Sequence, residues 1–413
     1  MPACGQPKTP RWSSFDKEIE LHSEALQLQT QRMTKALAGT SPGLMPDADD
    51  PLAVQELPDI VQERPEISSE CDVFQLPAGM MIADRWRIIE KLGEGSGGAI
   101  YRVCDHVTHA QRAVKVEPKG DKGQSLKLEY SVLEELRKNG ASNVMEILLG
   151  GKVAGFRFLI IQLLERDLYS LKRSLSPPIT EGSMLKLGIM ALAAIKQLHE
   201  IGYIHRDIKP GNLMLGRDSE GRSSLYLIDY GMVRTFVRKS GNSWKLRKER
   251  VEKTDFRGTL RYCSLNVHLR KEQCRADDLW AWLYTMTEVF FRLPWNKEHD
   301  ELKIMRQKRT LPDSTIFMHC PREFVEIKHY LKGLGYADRP DYFQLHQFLL
   351  QGMKRNRAQF SMPFEWEADE LVTALQPTPE EAAEFLPAKP DEVDYRMYPS
   401  LHPDRFKENI IGL

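Results

Sequence analysis

Long apolar runs are missing from these 413 residues. The nearest approach, LGIMALAAI at 187–195, is less than half of the roughly 20 residues that a bilayer-spanning helix needs. The stretch MPACGQPKTPRWSS at the start has no apolar core of the kind a secretion signal carries. Close cysteine pairs are also lacking. Cys4, Cys71, Cys104, Cys263, Cys274 and Cys320 are too scattered for a zinc knuckle or a CxxC redox motif, and read as reduced, mostly structural thiols. No internal repeat is present. The expectation is a soluble, cytoplasmic protein without membrane insertion, a nuclear location not being excluded.

Net charge is absent as well, with 58 Lys and Arg against 58 Asp and Glu, but the zero hides a segregation. Residues 1–78 hold 6 basic against 13 acidic side chains and residues 359–413 hold 4 against 12, which leaves 48 against 33 between them. A basic body carries two acidic tails, and such a distribution bears on partners rather than on fold.

What is there divides the chain in three. Residues 1–78 form an acidic, proline-containing extension with one amphipathic helix expected over about 15–38, where Phe15, Ile19, Leu26, Met33 and Leu37 share a face. Residues 79–358 form the body. From RWRIIEKLGEGSGGAIYRVCD through AVKVEP to FRFLIIQLL, short β-rich runs are broken by glycines around one helix, LKLEYSVLEELRK, which gives a small lobe over about 86–164. Helical periods then dominate about 165–355. In SMLKLGIMALAAIKQLHE, Met184, Leu187, Ala191, Ile195 and Leu198 recur at helical spacing before Gly202. Residues 359–413 return to proline and acid and are expected to be flexible, packing at most in patches such as FEWEADEL.

The chemistry concentrates in GYIHRDIKPGNLMLG, residues 202–216. Asp207, on a loop after a helix, can orient a hydroxyl and accept its proton. Lys209 can stabilise transferring phosphoryl oxygens, and Asn212 offers a neutral oxygen to Mg2+. A second hard ligand comes from LYLIDYG, where Asp229 ends an apolar strand and Gly231 frees the backbone. Upstream, Gly93, Gly95 and Gly98 have GxGxxG spacing. Because AIYRVCD continues as strand instead of opening a helix, a dinucleotide-binding turn does not fit. Lys115 lies on the next strand and Glu129 on the next helix. A strand lysine is usually a solvated edge residue, but its place between the glycine loop and Glu129 suggests an ion pair.

Over about residues 86–355 this pattern resembles the eukaryotic protein kinases. The resemblance implies an α+β, bilobal fold, ATP and Mg2+ as cofactors, and transfer of the γ-phosphate to Ser or Thr of protein substrates. Asp207, Lys209, Lys115 and Glu129 would then be catalytic, and Asn212 and Asp229 the metal ligands. Leu92, Gly93, Glu94, Gly95, Gly98, Ile100, Ala113, Lys115, Ile161, Gln162, Leu164 and Leu213 would line the nucleotide, with Ile161 as gatekeeper. His205, Arg206, Tyr230, Gly231 and Asp278 would be structural. Nucleic acid is not an expected partner, and a monomer is favoured.

The platform GTLRYCSLNVHL, residues 258–269, replaces the usual APE motif and is similar to casein kinase I. QLLERDL and DDLWAWLYTMTE look closer still to the tau-tubulin-kinase-like branch. The resemblance makes Arg261, with Lys297, an anion site, and so implies acidic or previously phosphorylated substrates. Gly97 replaces the aromatic usual at the loop tip, which implies a mobile loop. A pseudokinase scaffold with weak or no catalysis is the alternative. The acidic C-terminal tail is expected to dock on the basic body and restrain it.

Overall fold

The computed structural model describes residues 72–95, 97–119, 125–153, 155–176, 178–240, 243–367 and 393–413. The helix expected over 15–38 lies outside them.

Six antiparallel strands build the small lobe: β1 (Met81–Ile82), β2 (Trp86–Gly95), β3 (Gly98–Asp105), β4 (Gln111–Pro118), β5 (Ile147–Val153) and β6 (Phe156–Ile161), in the spatial order β1-β2-β3-β4-β6-β5. In β3 every second side chain is buried, so Ala99, Tyr101 and Val103 join Val114, Val116, Phe158 and Ile160 in one cluster. Helix α1 (Ser125–Lys138) packs on the other face of this sheet through Leu126, Val132, Leu133 and Leu136. The lobe begins earlier than position 79. Val73 and Leu76 are buried in it, and the Tyr101 hydroxyl donates to Val73 O (2.8 Å) while accepting from Leu76 N (3.1 Å).

The large lobe contains α2 (Leu168–Ser174), α3 (Glu181–Glu200), α4 (Leu265–His268), α5 (Arg275–Phe290), α6 (Glu301–Thr310), α7 (Asp313–Ile316), α8 (Glu323–Lys332), α9 (Tyr342–Arg355) and α10 (Pro403–Lys407). Thr180 caps α3 by accepting from Ser183 N, and α3 is buried almost throughout, including all five residues of its expected core face. Short strands run past its end: β7 (Tyr203–Ile204), β8 (Leu213–Arg217), β9 (Ser223–Leu227), β10 (Arg234–Thr235), β11 (Val237–Ser240) and β12 (Ser243–Leu246). β8 pairs with β9 and β7 with β10, all antiparallel. β11 pairs antiparallel with β12 in a hairpin that carries Arg238, Lys239 and Lys245.

Of the C-terminal extension, residues 359–367 and 393–413 pack on the large lobe, while residues 368–392 lie outside the described residues. Phe360, Phe364, Val393, Tyr398, Leu401 and Phe406 are buried against the large lobe, and the Lys186 ammonium sits 3.9 Å from the Phe364 ring centroid. Tyr398 donates to Ser223 O (2.8 Å), and Glu200 accepts from Ile410 N (2.6 Å) and from Arg339 (2.7 Å). These aromatic anchors between acidic residues supply enough apolar burial to bind the segment. No helix among the described residues is long and apolar enough to cross a membrane.

Candidate active site

Helix α3 ends where Gly202 takes φ +87°, and the chain turns through β7 into the loop His205–Asn212. Asp278, in the first turn of α5, holds that loop. It accepts from His205 N (2.6 Å), Arg206 N (2.8 Å) and His199 Nε2 (3.0 Å). Burial opposes its charge, yet His199, His205 and the N–H donors hold the carboxyl below its ordinary range. The other ring nitrogen of His199 meets the Tyr342 hydroxyl at 2.7 Å. Arg206 takes a left-handed φ of 69°, and burial, with Arg234 and Arg257 nearby, lowers its guanidinium to about 10.

Asp207 is bracketed. Lys209 Nζ donates to Oδ2 (2.6 Å) and Thr259 Oγ1 donates to Oδ1 (2.7 Å). Asn212 Nδ2 donates to Asp207 O (2.9 Å), so the other end of the amide, Oδ1, is the atom that can meet a cation. Across the cleft, Lys115 Nζ reaches Glu129 Oε2 at 2.6 Å and Asp229 Oδ1 at 3.1 Å. Burial works against the Lys115 charge, but Glu129 and Asp229 overcome it and raise the pKa above the lysine norm. Lys115 in turn holds Asp229 low against burial. Asp229 is in the left-handed region (φ 65°, ψ 66°), a conformation that L-residues with a Cβ adopt at some cost and that here aims its carboxylate back toward Lys115. Tyr230, buried, donates to Leu227 O (2.9 Å) and meets the His205 ring edge-on at 5.6 Å. Gly231 lies against Ser125 at the start of α1.

The β2–β3 turn overhangs this cleft. A Cβ at Gly98 would lie 1.9 Å from Val116 O, so only glycine lets β3 meet β4 there, whereas Gly93 and Gly95 face open space. Strand register sets Ile100 opposite Lys115 and Ala113 opposite Ile161. Leu213, Leu164, Ala113 and Ile161 are buried, and Leu92 is exposed. Glu94 pairs with Lys91 rather than facing inward. Gln162 donates its backbone N–H to Glu146 O (2.9 Å) and its side-chain amide to Arg217 O (3.1 Å).

This arrangement fits ATP and Mg2+. A glycine turn leaves room for phosphates beneath it, a lysine ammonium stands over a carboxylate, and that carboxylate and an amide oxygen supply two hard ligands. Mg2+ retains several waters, so it needs no larger protein cage. Among the described residues no group of three or more His, Cys, Asp or Glu could hold a metal.

Arg261 donates to Asn296 O (2.5 Å), which sets its guanidinium beside the residue preceding Lys297, and Lys297 is exposed. Two other arginines of the segment after Asp229 are neutralised, since Arg234 and Arg250 reach Glu272 at 3.2 and 3.5 Å. Three residues escaped the sequence reading. Thr259, on Asp207, stands inside the quoted GTLRY stretch without any periodic signal. Asp277 anchors the far end of the platform by accepting from Ser264 Oγ (2.5 Å). Glu117, two residues beyond Lys115 on β4, accepts from Leu126 N (3.0 Å) and Ser125 Oγ (2.5 Å) and so caps α1. Its period-two relation to Lys115 was a usable signal.

Comparison with known proteins agrees with this geometry. A profile of the protein kinase domain matches residues 86–358. A Caenorhabditis elegans protein provisionally named a serine/threonine-protein kinase is 34% identical over 297 residues, 71% of this chain and 85% of that one. Another from the same organism, named an inactive tau-tubulin kinase, is 32% identical over 260 residues, 60% of this chain and 89% of its own. A casein kinase I homologue, so named provisionally, of Encephalitozoon cuniculi is 31% identical over 293 residues, 68% and 92% of the two chains.

Proposed function

This chain belongs to the protein kinase family, within its casein kinase I superfamily, and on that basis we propose that it phosphorylates Ser and Thr hydroxyls of proteins, preferring acidic or previously phosphorylated sites. The observation that carries the reading is the bracketed Asp207 carboxylate facing a closed Lys115–Glu129–Asp229 set. ATP supplies the phosphoryl group, and Mg2+ neutralises part of its charge when bound.

Asp207 Oδ atoms accept a hydrogen bond from the substrate hydroxyl and take its proton as the oxygen becomes the nucleophile. Thr259 and Lys209 fix the carboxylate for this role, and Lys209 also stabilises negative charge developing on the transferred group. Lys115, kept in place by buried Glu129, would orient the phosphates, while Asp229 and Asn212 would hold the cation. Arg261, with Lys297, attracts an acidic or phosphorylated residue near the target hydroxyl. The enzyme acts as a monomer, and it acts in the cytoplasm, a location supported by the free thiols of Cys104, Cys263, Cys274 and Cys320.

Transfer of radiolabelled phosphate from ATP to casein, with Asp229→Ala as control, tests the reading. Incorporation no higher than in the control would leave the chain a nucleotide-cleft scaffold, consistent with one relative being named inactive. For specificity, Arg261→Ala is expected to lose the preference for acidic and phosphorylated peptides while keeping most activity on neutral ones. Added salt should weaken the wild-type preference, because these charges are partly exposed. A peptide array without enrichment of acid or phosphate would rule the anion site out.

A further inference from the structure

Beneath the platform lies a buried lysine that the reaction does not use. Lys308, on α6, is 3% exposed. Its Nζ donates to Leu260 O (2.7 Å) and Cys263 O (2.6 Å), and lies 3.2 Å from His268 Nε2 and 3.8 Å from Cys263 Sγ. The rings of Tyr284 and Trp295 stand 5.3 and 5.7 Å away. Trp295 Nε1 holds the carbonyl between these two, that of Arg261, at 2.9 Å. Three carbonyls of the stretch 260–263 are thus held by side chains from below.

An ammonium has three donors, and three oxygen or nitrogen acceptors are arranged around this one, two carbonyls and an imidazole nitrogen, with the weaker Cys263 sulfur farther off. His268 must then accept at Nε2 and carry its proton on Nδ1, which faces Glu301 Oε1 at 3.1 Å. Glu301 also accepts from Arg270 at 2.7 and 2.9 Å. The result is an alternating chain of cation, neutral imidazole, carboxylate and cation running from under the platform to the surface.

We propose that Lys308 is a positioning residue for the peptide substrate: steadied by His268 and Glu301, it holds the backbone of residues 260–263 directly at the height and tilt that an extended peptide needs. The proposal deepens the kinase reading and rests on it. The link to the reacting centre is short, because Thr259, whose hydroxyl bonds Asp207, precedes Leu260 directly. A shift of the Leu260 carbonyl therefore moves the group that fixes the base. The nucleotide cleft, on the other side of Asp207, contains no atom of this chain of contacts.

The charged form is the one with enough donors. Burial, against Cys263 and Glu301, lowers Lys308 to about 8. Around it, burial first and Lys308 next lower His268 to about 4, and burial raises the Cys263 thiol and the Tyr284 phenol. Against burial, Arg270 and His268 hold Glu301 at about 2. Between pH 6 and 9 Lys308 is the group of this set that changes charge. Above about pH 8 a neutral amine has two donors for three acceptors, and the platform loosens.

The test compares wild type, Lys308→Met and Lys308→Arg at full length. Loss of hydrogen bonds from a charged donor predicts that Lys308→Met raises the peptide KM about tenfold, with the ATP KM unchanged within about twofold. Wild-type peptide KM should rise as pH passes 8, and the profile of Lys308→Arg should be flat there, since a guanidinium stays charged. The linkage runs the other way for stability. The unfolded chain binds the proton more tightly than the folded one, so wild-type Tm should rise relative to Lys308→Met between pH 8 and 10, as function falls. Amide exchange over 258–264 should quicken in Lys308→Met while that of 203–212 stays slow. A folded Lys308→Met with wild-type peptide KM and wild-type exchange over 258–264 would overturn the proposal. If wild type transfers no phosphate, the kinase reading fails, and the exchange comparison still decides whether Lys308 holds the platform.

Discussion

Two carboxylates of this protein have opposite work, and their surroundings show why. Asp207 meets a threonine hydroxyl and a lysine that a substrate can displace or join, whereas Asp278 is 2% exposed and fully engaged by two backbone N–H groups and His199. Asp207→Asn is expected to lower turnover by about 10²- to 10⁴-fold, the range of a lost general base, and to leave ATP KM within about twofold. Steady-state kinetics with both substrates varied separate the two effects; wild-type turnover would remove Asp207 from its role. Asp278→Ala strands three donors in the interior and should cost about 3–5 kcal/mol of stability, measured by denaturant unfolding.

At the scale of elements, the ion pair Lys115–Glu129 depends on where α1 lies, and α1 is tied to β4 by one side chain. Glu117 is 1% exposed and accepts from the first turn of the helix, and Arg157 approaches its other oxygen at 3.4 Å. Glu117→Ala is expected to cost about 1–3 kcal/mol, through N–H and hydroxyl donors left unsatisfied. With the cap gone, Glu129 should hold Lys115 less firmly and ATP KM should rise; thermal melting with and without nucleotide reads both. The glycine turn has room to spare. A Cβ at Gly97 would meet only Ser125 Oγ, at 3.6 Å. Gly97→Phe should lower ATP KM by reducing the entropy lost on closing the loop, and an unchanged or raised constant would count against this.

At the scale of the whole molecule, the described parts of the C-terminal extension are built into the large lobe, which favours a structural role for them over a restraining one. Residues 393–413 bring Val393, Tyr398, Leu401 and Phe406 into the main core and tie Glu200, at the end of α3, to Ile410 N. Ile411 and Leu413 pack beside Ile204 and Val237, next to the catalytic loop and the β11–β12 hairpin. Each large apolar side chain fully buried is worth about 1.5–3 kcal/mol. Removal of residues 393–413 should thus lower Tm by roughly 10 °C or more and reduce activity, where release of a restraint would raise it. Calorimetry and a low-salt phosphate-transfer assay on the shortened chain decide between them.

Much of the candidate site was legible in the sequence because its parts are local. HRDIKPGN fits its roles within eight residues, and a helix ending in glycine sets them on a loop. The β3 alternation and the α3 periodicity announced their buried faces for the same reason: each pattern repeats within one element. What the sequence hid are contacts between elements far apart along the chain. Thr259 reaches Asp207 across 52 positions, Lys308 reaches Leu260 across 48, and Tyr398 reaches Ser223 across 175. Composition marked the tail as acidic and proline-bearing, but average composition does not report that a few spaced aromatics can each find a pocket. By itself, then, the order of residues determined the two lobes and set the candidate site residues on their loop. Only the tertiary structure decided which distant hydroxyl, ammonium and aromatic side chains hold those groups still, because such pairings depend on burial and register between elements, to which no local repeat is bound.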